Sequence, residues 1–284
     1  MAAGKKRAET KPSVAVIGCG NLGGALVNGL SMSQELGNVG IIACDHDEEV
    51  FESFEDIEDL TCTTDLSVAL ADADTVIVAV KPAAVGSVME SIGEHVRQKG
   101  ESPVIVSVAG GVMLSELRHH FGAGKGVEKL VRAMPNVACG VCMGVTGLFG
   151  ESAPAVERAS EIFDGLGWVV QLPSETLLDV FTGLGASGPA FVAVMLEALA
   201  DGAVKMGLPR PIAQMVAAQM TAGSAMLAMG IDGPPAVLKN MVASPAGTTI
   251  AGLHVLESSG VRGAFISAIE AATQRARERL AQLH

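Results

Sequence analysis

The sequence predicts a doubly wound α/β domain over residues 1–173, followed by an all-helical domain over residues 174–284. Three observations predict it. Short apolar runs alternate with helix-like segments from residue 13 to about 172. Those runs are nearly continuous in Val and Ile, as in strands of a parallel sheet buried on both faces by helices. After Pro173 such runs stop, and long stretches rich in Ala, Leu and Met take over.

Taken in order, "SVAVIG" is the first strand, with a helix starting at about Asn21. "VGIIAC" is the second, "LTCTT" a weak third, "DTVIVAV" the fourth and "SPVIVSV" the fifth. "KLVRAM" is the sixth, and "GVTGLF" and "GWVVQL" are the last two. The helical domain is built from "AFVAVMLEALADGAVKMG", "PIAQMVAAQMTAGSAMLAMG" and "GAFISAIEAATQRARERLAQL", punctuated by Pro209, Pro211 and the Gly-Pro-Pro at 233–235. These helices are apolar around much of their circumference, so each needs cover on more than one side. A second subunit would supply it.

The chain has 284 residues, comfortable for two domains, and 49% apolar residues, enough for a large core. A net charge of −12, one Trp and no Tyr exclude a nucleic-acid partner, which needs a basic face and stacking surfaces. The acidity also argues against an anionic membrane surface. Mean hydropathy is +0.42, yet no uninterrupted apolar run approaches a membrane span, and "AFVAVMLEALADGAV" is broken by Glu197 and Asp201. "MAAGKKRAETKP" lacks the apolar core of a secretory signal. Five cysteines without such a signal point to reduced thiols and a cytoplasmic protein. Cys139 and Cys142 form a lone C-x-x-C with no second pair to complete a metal site, and no other metal constellation is found.

"VIGCGNLGGAL" contains Gly18-x-Gly20-x-x-Gly23 between a strand and a helix, at the first β-α turn. There Gly18 permits the tight turn, Gly20 admits a pyrophosphate to the backbone, and Gly23 lets helix and strand pack. This is the dinucleotide fingerprint of a Rossmann domain, with Cys19, Asn21 and Leu22 lining the turn and the phosphates on the helix N-terminus. Ala79, Val80, Lys81 and Pro82 follow the fourth strand, Ala109 the fifth and Asn136 the sixth, all at strand carboxyl ends where ligands of such sheets bind. Lys81 would meet cofactor phosphate or ribose, or a substrate carboxylate; the plain alternative is a surface lysine at a helix start. Asn136 would orient a nicotinamide amide. Asp45 ends the second strand, 22 positions beyond Gly23, with no Arg or Lys between 45 and 55. It would accept bonds from the ribose hydroxyls of NADH and repel the extra phosphate of NADPH, unless it caps the next turn.

"SPAGTTIAGL" (244–253) holds Ser244, Thr248 and Thr249 and no ionisable side chain. A helix cap uses one hydroxyl; three hydroxyls and a row of N–H groups also suit a carboxylate.

Here the sequence resembles the pyrroline-5-carboxylate reductases. The resemblance runs from "VAVIGCGNLGGAL" to the last helix and is most specific at "LKNMVASPAGTTIAGLHVLE", with support from "VAVKP", "VRAMPN" and "TGLGASGPAFV". Two positions depart: Ala246, where Gly is usual, and Cys19, where Ala is common. The resemblance implies NADH- or NADPH-dependent reduction of a cyclic imino acid, Δ1-pyrroline-5-carboxylate, to L-proline. It implies that Ser244 and the N–H groups of Gly247 and Thr248 hold the substrate carboxylate and that Thr249 bonds the ring nitrogen. Thr182 and Lys81 would lie at the cofactor–substrate junction. It also implies a helical dimerisation domain that builds a homodimer, assembled into larger rings such as a decamer.

Two other readings compete. A β-hydroxyacid dehydrogenase would carry a catalytic Lys on the helix after the Gly-rich junction, and "GLGASGPAFVAVMLEAL" contains none. A non-catalytic nucleotide sensor would have no use for the Ser244–Thr249 hydroxyls.

Overall fold

The computed structural model describes residues 13–37 and 39–282. The N-terminal stretch read above for a signal lies outside them. All eight expected strands form: β1 (Ser13–Ile17), β2 (Gly40–Cys44), β3 (Leu60–Thr63), β4 (Thr75–Val78), β5 (Val104–Ser107), β6 (Leu130–Met134), β7 (Gly144–Gly150) and β8 (Gly167–Gln171). They make one sheet in the order β3-β2-β1-β4-β5-β6-β7-β8. Strands β1 to β6 are parallel, but β7 runs antiparallel to β6, and β8 is parallel to β7. The expected parallel sheet is therefore corrected at its last two strands. The reason is the connection: between Met134 and Gly144 there is room only for a 3-10 turn at Val137–Val141. A parallel return needs a crossover of a dozen residues or more.

Alternation along β1 shows why both faces are covered. Val14 and Val16 point to one layer with Leu26, Val27, Ile77 and Phe163; Ala15 and Ile17 point to the other with Val78, Met89, Ile92 and Leu117. The first layer is roofed by α1 (Asn21–Met32) and α5 (Ala153–Asp164). The second is roofed by α2 (Leu66–Leu70), α3 (Pro82–Lys99) and α4 (Leu114–Phe121).

From residue 177 onward, every regular element among the described residues is helical. They are α6 (Leu177–Phe181), a π turn (Thr182–Ala186), α7 (Gly188–Lys205), α8 (Arg210–Gly230), α9 (Ala236–Val242), α10 (Thr248–Ser258) and α11 (Val261–Gln282). The described residues form two compact units: one holds residues up to Ser187 together with those from Ala272, the other is Gly188–Ala271. The division falls later than the expected border after residue 173. Strands end there, but α6 and the π turn still pack on β6 and β7.

In the second unit α7 and α8 pair around Ala200, Ala213 and Ala217. Little else there is buried: Met206 is 85% exposed and Met229 67%. Two helical stretches, Leu177–Lys205 and Arg210–Gly230, are long and apolar enough to cross a membrane. Neither is an uninterrupted apolar run, so the expectation about such runs stands beside this result. Glu197 and Asp201 interrupt the run, but over a full window they are diluted by Ala, Val, Leu and Met.

Candidate active site

The glycine turn of the first unit is fixed by close backbone approaches. Gly18 sits at φ +93°, and a Cβ there would lie 2.9 Å from the carbonyl of Ala79. A Cβ on Gly23 would lie 1.8 Å from the Gly18 oxygen. At Gly20 a Cβ would meet nothing within 4 Å. The turn is thus closed on the protein side and open at the one glycine expected to face a pyrophosphate. Gly20 precedes α1 with no side-chain cap, so the amides of Asn21, Leu22 and Gly23 form an open helix N-terminus. These features fit a dinucleotide.

Asp45 buttresses this turn. Its Oδ2 accepts the Cys19 N–H at 2.6 Å, and its Oδ1 accepts the Asp47 N–H at 3.1 Å and pairs with His46 Nδ1 at 2.8 Å. It does not cap the next turn. That role belongs to Asp47, which accepts from Glu49 N at 3.0 Å. The Cys19 thiol is buried, and burial together with the neighbouring Asp45 pushes it up to about 12, so it is no nucleophile.

Ala79 donates its N–H to Ile17 O at 2.7 Å, which ties the end of β4 to β1. Val80 follows it, half-buried. Lys81 is exposed at the start of α3, with Pro82 in the first helical position and no side-chain bond among the described residues. Ala109 is buried beyond β5. The turns after β1, β4, β5 and β6 thus share the carboxyl edge of the sheet, where the strand order reverses between β1 and β4. Asn136 also lies there, but its side chain is buried and doubly engaged. Oδ1 accepts from Ala138 N at 3.1 Å, and Nδ2 donates to Gly185 O at 3.0 Å. Thr182 opens the π turn, its hydroxyl donating to Leu178 O at 2.7 Å.

Sequence reasoning missed a buried charge group beside these residues. Arg132 on β6, 2% exposed, donates to Glu175 Oε1 at 2.8 Å, and the same oxygen accepts the Leu114 N–H at 2.6 Å. Asp179 on α6 is also buried; burial holds its carboxyl above the usual carboxylate range, against the opposing pull of Arg132 and Arg277. The available signal was an arginine inside "KLVRAM", a strand buried on both faces.

In the second unit, Ser244–Thr249 joins α9 to α10. Ala246 adopts φ +56°, the left-handed region. The cap position of α10 is Gly247, with no side-chain cap bond. The hydroxyls of Ser244, Thr248 and Thr249 make no hydrogen bond among the described residues, so the plain capping role does not account for them. Gly247 is not an open donor, because its N–H bonds Ser244 O at 3.1 Å. The open donors begin at Thr248, and Ala251 N is the first amide bonded back, to Gly247 O at 3.4 Å. A Cβ on Gly247 would stand 2.3 Å from Ser244 Oγ, so glycine is what lets that hydroxyl lie against the helix start.

Elsewhere, Cys139 is buried, with its thiol raised by burial, and Cys142 Sγ lies 3.5 Å from Gly29 O. Neither Cys139 nor Cys142 is in a disulfide. Among the described residues no three metal-ligating side chains cluster.

Residues 175–279 match the family described as pyrroline-5-carboxylate reductase dimerisation. Residues 13–111 match that described as NADP oxidoreductase coenzyme F420-dependent. The pyrroline-5-carboxylate reductase of Methanosarcina acetivorans is 37% identical over 268 residues, 93% of this chain and 97% of that one. The chain belongs to the pyrroline-5-carboxylate reductase family. The Thermus thermophilus family member is 36% identical over 93% of this chain and 97% of its own. The solved Coxiella burnetii reductase superposes with a TM-score of 0.83 at 29% identity, covering 95% of this chain and 99% of that one. A Plasmodium falciparum reductase with NADP bound shares the fold, with a TM-score of 0.80 at 24% identity, over 95% and 98% of the two chains. Like other reductases of this family, the chain is an oxidoreductase with a nicotinamide-nucleotide domain and an oligomerising helical domain.

Proposed function

We propose that the protein reduces Δ1-pyrroline-5-carboxylate to L-proline, the final step of proline biosynthesis. The observation that carries this reading is the Ser244–Thr249 loop. It presents three unengaged hydroxyls and a helix N-terminus, with no acid or base. Such a site suits a substrate that brings its own electrophile. A protonated cyclic imine is activated already, so holding and orienting it can supply most of the catalysis.

Ser244 and the amides from Thr248 onward hold the substrate carboxylate, a favourable place for negative charge. The Thr249 hydroxyl bonds the ring nitrogen and keeps its proton in place. Lys81 and Thr182 complete the proposed catalytic set. The nicotinamide nucleotide, when bound, supplies the hydride.

Gly18 to Gly23, with Ala79 to Pro82 and Ala109, seat that nucleotide. Asp45 keeps its carboxylate at the end of β2, supports NADH use and disfavours the additional phosphate of NADPH. NADH is therefore used at least as well as NADPH. The protein works in the cytoplasm as a homodimer built through residues 175–284, with dimers assembled into a larger ring such as a decamer.

The test is loss of reduced-nicotinamide absorbance on adding pyrroline-5-carboxylate, with each cofactor in turn, and proline as the product. Tight cofactor binding without turnover would favour a nucleotide sensor.

A further inference from the structure

We propose that Asn136 is a positioning residue for this reaction, acting through the π turn at Thr182–Ala186 and not through the cofactor. Asn136 was expected to orient a nicotinamide amide, yet in the structure its amide faces the protein on both sides.

In an α-helix each carbonyl receives the N–H four residues on. For Gly185 that residue is Pro189, which has no N–H. The local winding is already widened, with Ser187 N donating to Thr182 O five residues back at 3.0 Å. Gly185 is buried, and a buried carbonyl without a donor is costly. Asn136 Nδ2 supplies the donor at 3.0 Å. The Ala138 N–H on Oδ1 fixes which way the amide points.

The link is rigid at both ends. Asn136 lies two residues past the end of β6. The turn it grips packs tightly on its own aromatic neighbour: a Cβ on Gly185 would come within 2.7 Å of the Phe181 ring. The first residue of that turn is Thr182, held by its bond to Leu178 O. A π turn inserts one residue and re-aims what the helix carries, and such turns concentrate at functional sites. Asn136 therefore sets where Thr182 stands relative to the strand ends that seat the nucleotide. The catalytic consequence rests on the function proposed above; the structural consequence does not.

Three proteins test this: Asn136→Ala, Pro189→Ala and the double variant. Replacing Pro189 provides the missing N–H. In Asn136→Ala, amide exchange at Ser187 is expected to accelerate about tenfold, the weight of one lost buried bond. kcat should fall about tenfold or more, while Kd for NADPH, read from its fluorescence, stays within about twofold. Adding Pro189→Ala should restore most of the exchange protection and part of kcat. If Asn136→Ala does not fold, Asn136→Asp keeps the acceptor for Ala138 and loses the donor to Gly185, and the same readouts apply. The proposal is overturned if Kd for NADPH weakens in step with kcat, which would place Asn136 on the cofactor. Unchanged exchange at Ser187, or no rescue by Pro189→Ala, would overturn it equally. Should the parent protein fail to reduce pyrroline-5-carboxylate, exchange and rescue still decide the structural link on their own.

Discussion

Gly18–Gly23 and Ser244–Thr249 each end at an open helix N-terminus, and they are built in opposite ways. Gly18–Gly23 is closed on the protein side: its left-handed residue is a glycine, its Cys19 amide is held by Asp45, and its backbone lies against Ala79. Ser244–Thr249 is tied by one backbone bond, Gly247 N–H to Ser244 O: its left-handed residue is Ala246, and among the described residues no acid supports it and its hydroxyls have no partner. A pyrophosphate is bound by backbone amides alone, so the first loop needs a fixed shape more than it needs side chains. A small carboxylate with a ring nitrogen needs several polar groups to converge, and in the proposed function the unengaged side chains of the second loop would meet that need.

The largest expected effect breaks the first loop. Gly23→Ala places a methyl group on the Gly18 carbonyl and should cost about 3 kcal/mol, weakening NADH and NADPH together about a hundredfold or destabilising the fold. Gly20→Ala sharpens the contrast. Its methyl group meets no protein atom, so stability measured by denaturant should be unchanged while cofactor affinity falls. If both variants lose stability alike, the open side of the loop has been misread.

Next comes the second loop. Thr249→Val should lower kcat/KM for the imine by about 1–3 kcal/mol in transition-state terms, with cofactor affinity unchanged. Full activity in this variant would make Thr249 a helix-end residue with no part in binding.

The third separates the two jobs of Asp45. Asp45→Ser should raise the NADPH/NADH ratio of kcat/KM about tenfold, the order of one like-charge contact largely screened by water. Asp45→Asn keeps an acceptor for the Cys19 N–H and removes the charge. Equal shifts in both variants assign the effect to charge. A loss of both cofactors in Asp45→Ser alone would assign it to the loop. Measurements belong at low and equal ionic strength, because the effect is screened.

How far these features could be read in the sequence follows from the range of the interactions. Most strands were legible because they are rich in Val and Ile, the weak third being the exception, and the glycine turn because its three glycines sit within six residues. The reversal at β7 was hidden in a run of Val and Gly that looks the same in either direction; only the short connection before it betrays the return. Asn136 was legible as a strand-end residue, but its partner Gly185 lies 49 positions away. The Arg132–Glu175 pair spans 43 positions and joins two segments with no shared pattern. Gly247 was expected to offer its amide to the substrate, and a bond to Ser244 only three residues back removes it. That is short-range, yet it depends on the backbone angles of Ala246, which composition does not reveal.

The smallest expected effect concerns Ala246 itself. At φ +56° an L-residue with a Cβ is penalised by roughly 1 kcal/mol or more relative to glycine. Glycine, the residue usual at this place in the resembling family, removes that penalty but loses more backbone freedom on folding, about 0.4–1 kcal/mol. The two terms oppose each other, and the steric one is the larger, so Ala246→Gly should stabilise the protein by about half a kcal/mol. Read as Tm at a fixed protein concentration, the shift is small, about 1–2 °C for a chain of this size. Catalysis carries the sharper information. If the loop is held in its left-handed shape only by its neighbours, glycine should relax it without moving Ser244 or Thr249, and KM for the imine should stay the same. A lower Tm would mean that the Ala246 methyl group makes packing contacts that outweigh its strain. A raised KM with unchanged kcat would show that the strain holds the carboxylate-binding amides in place, and the second loop would then be as preorganised as the first.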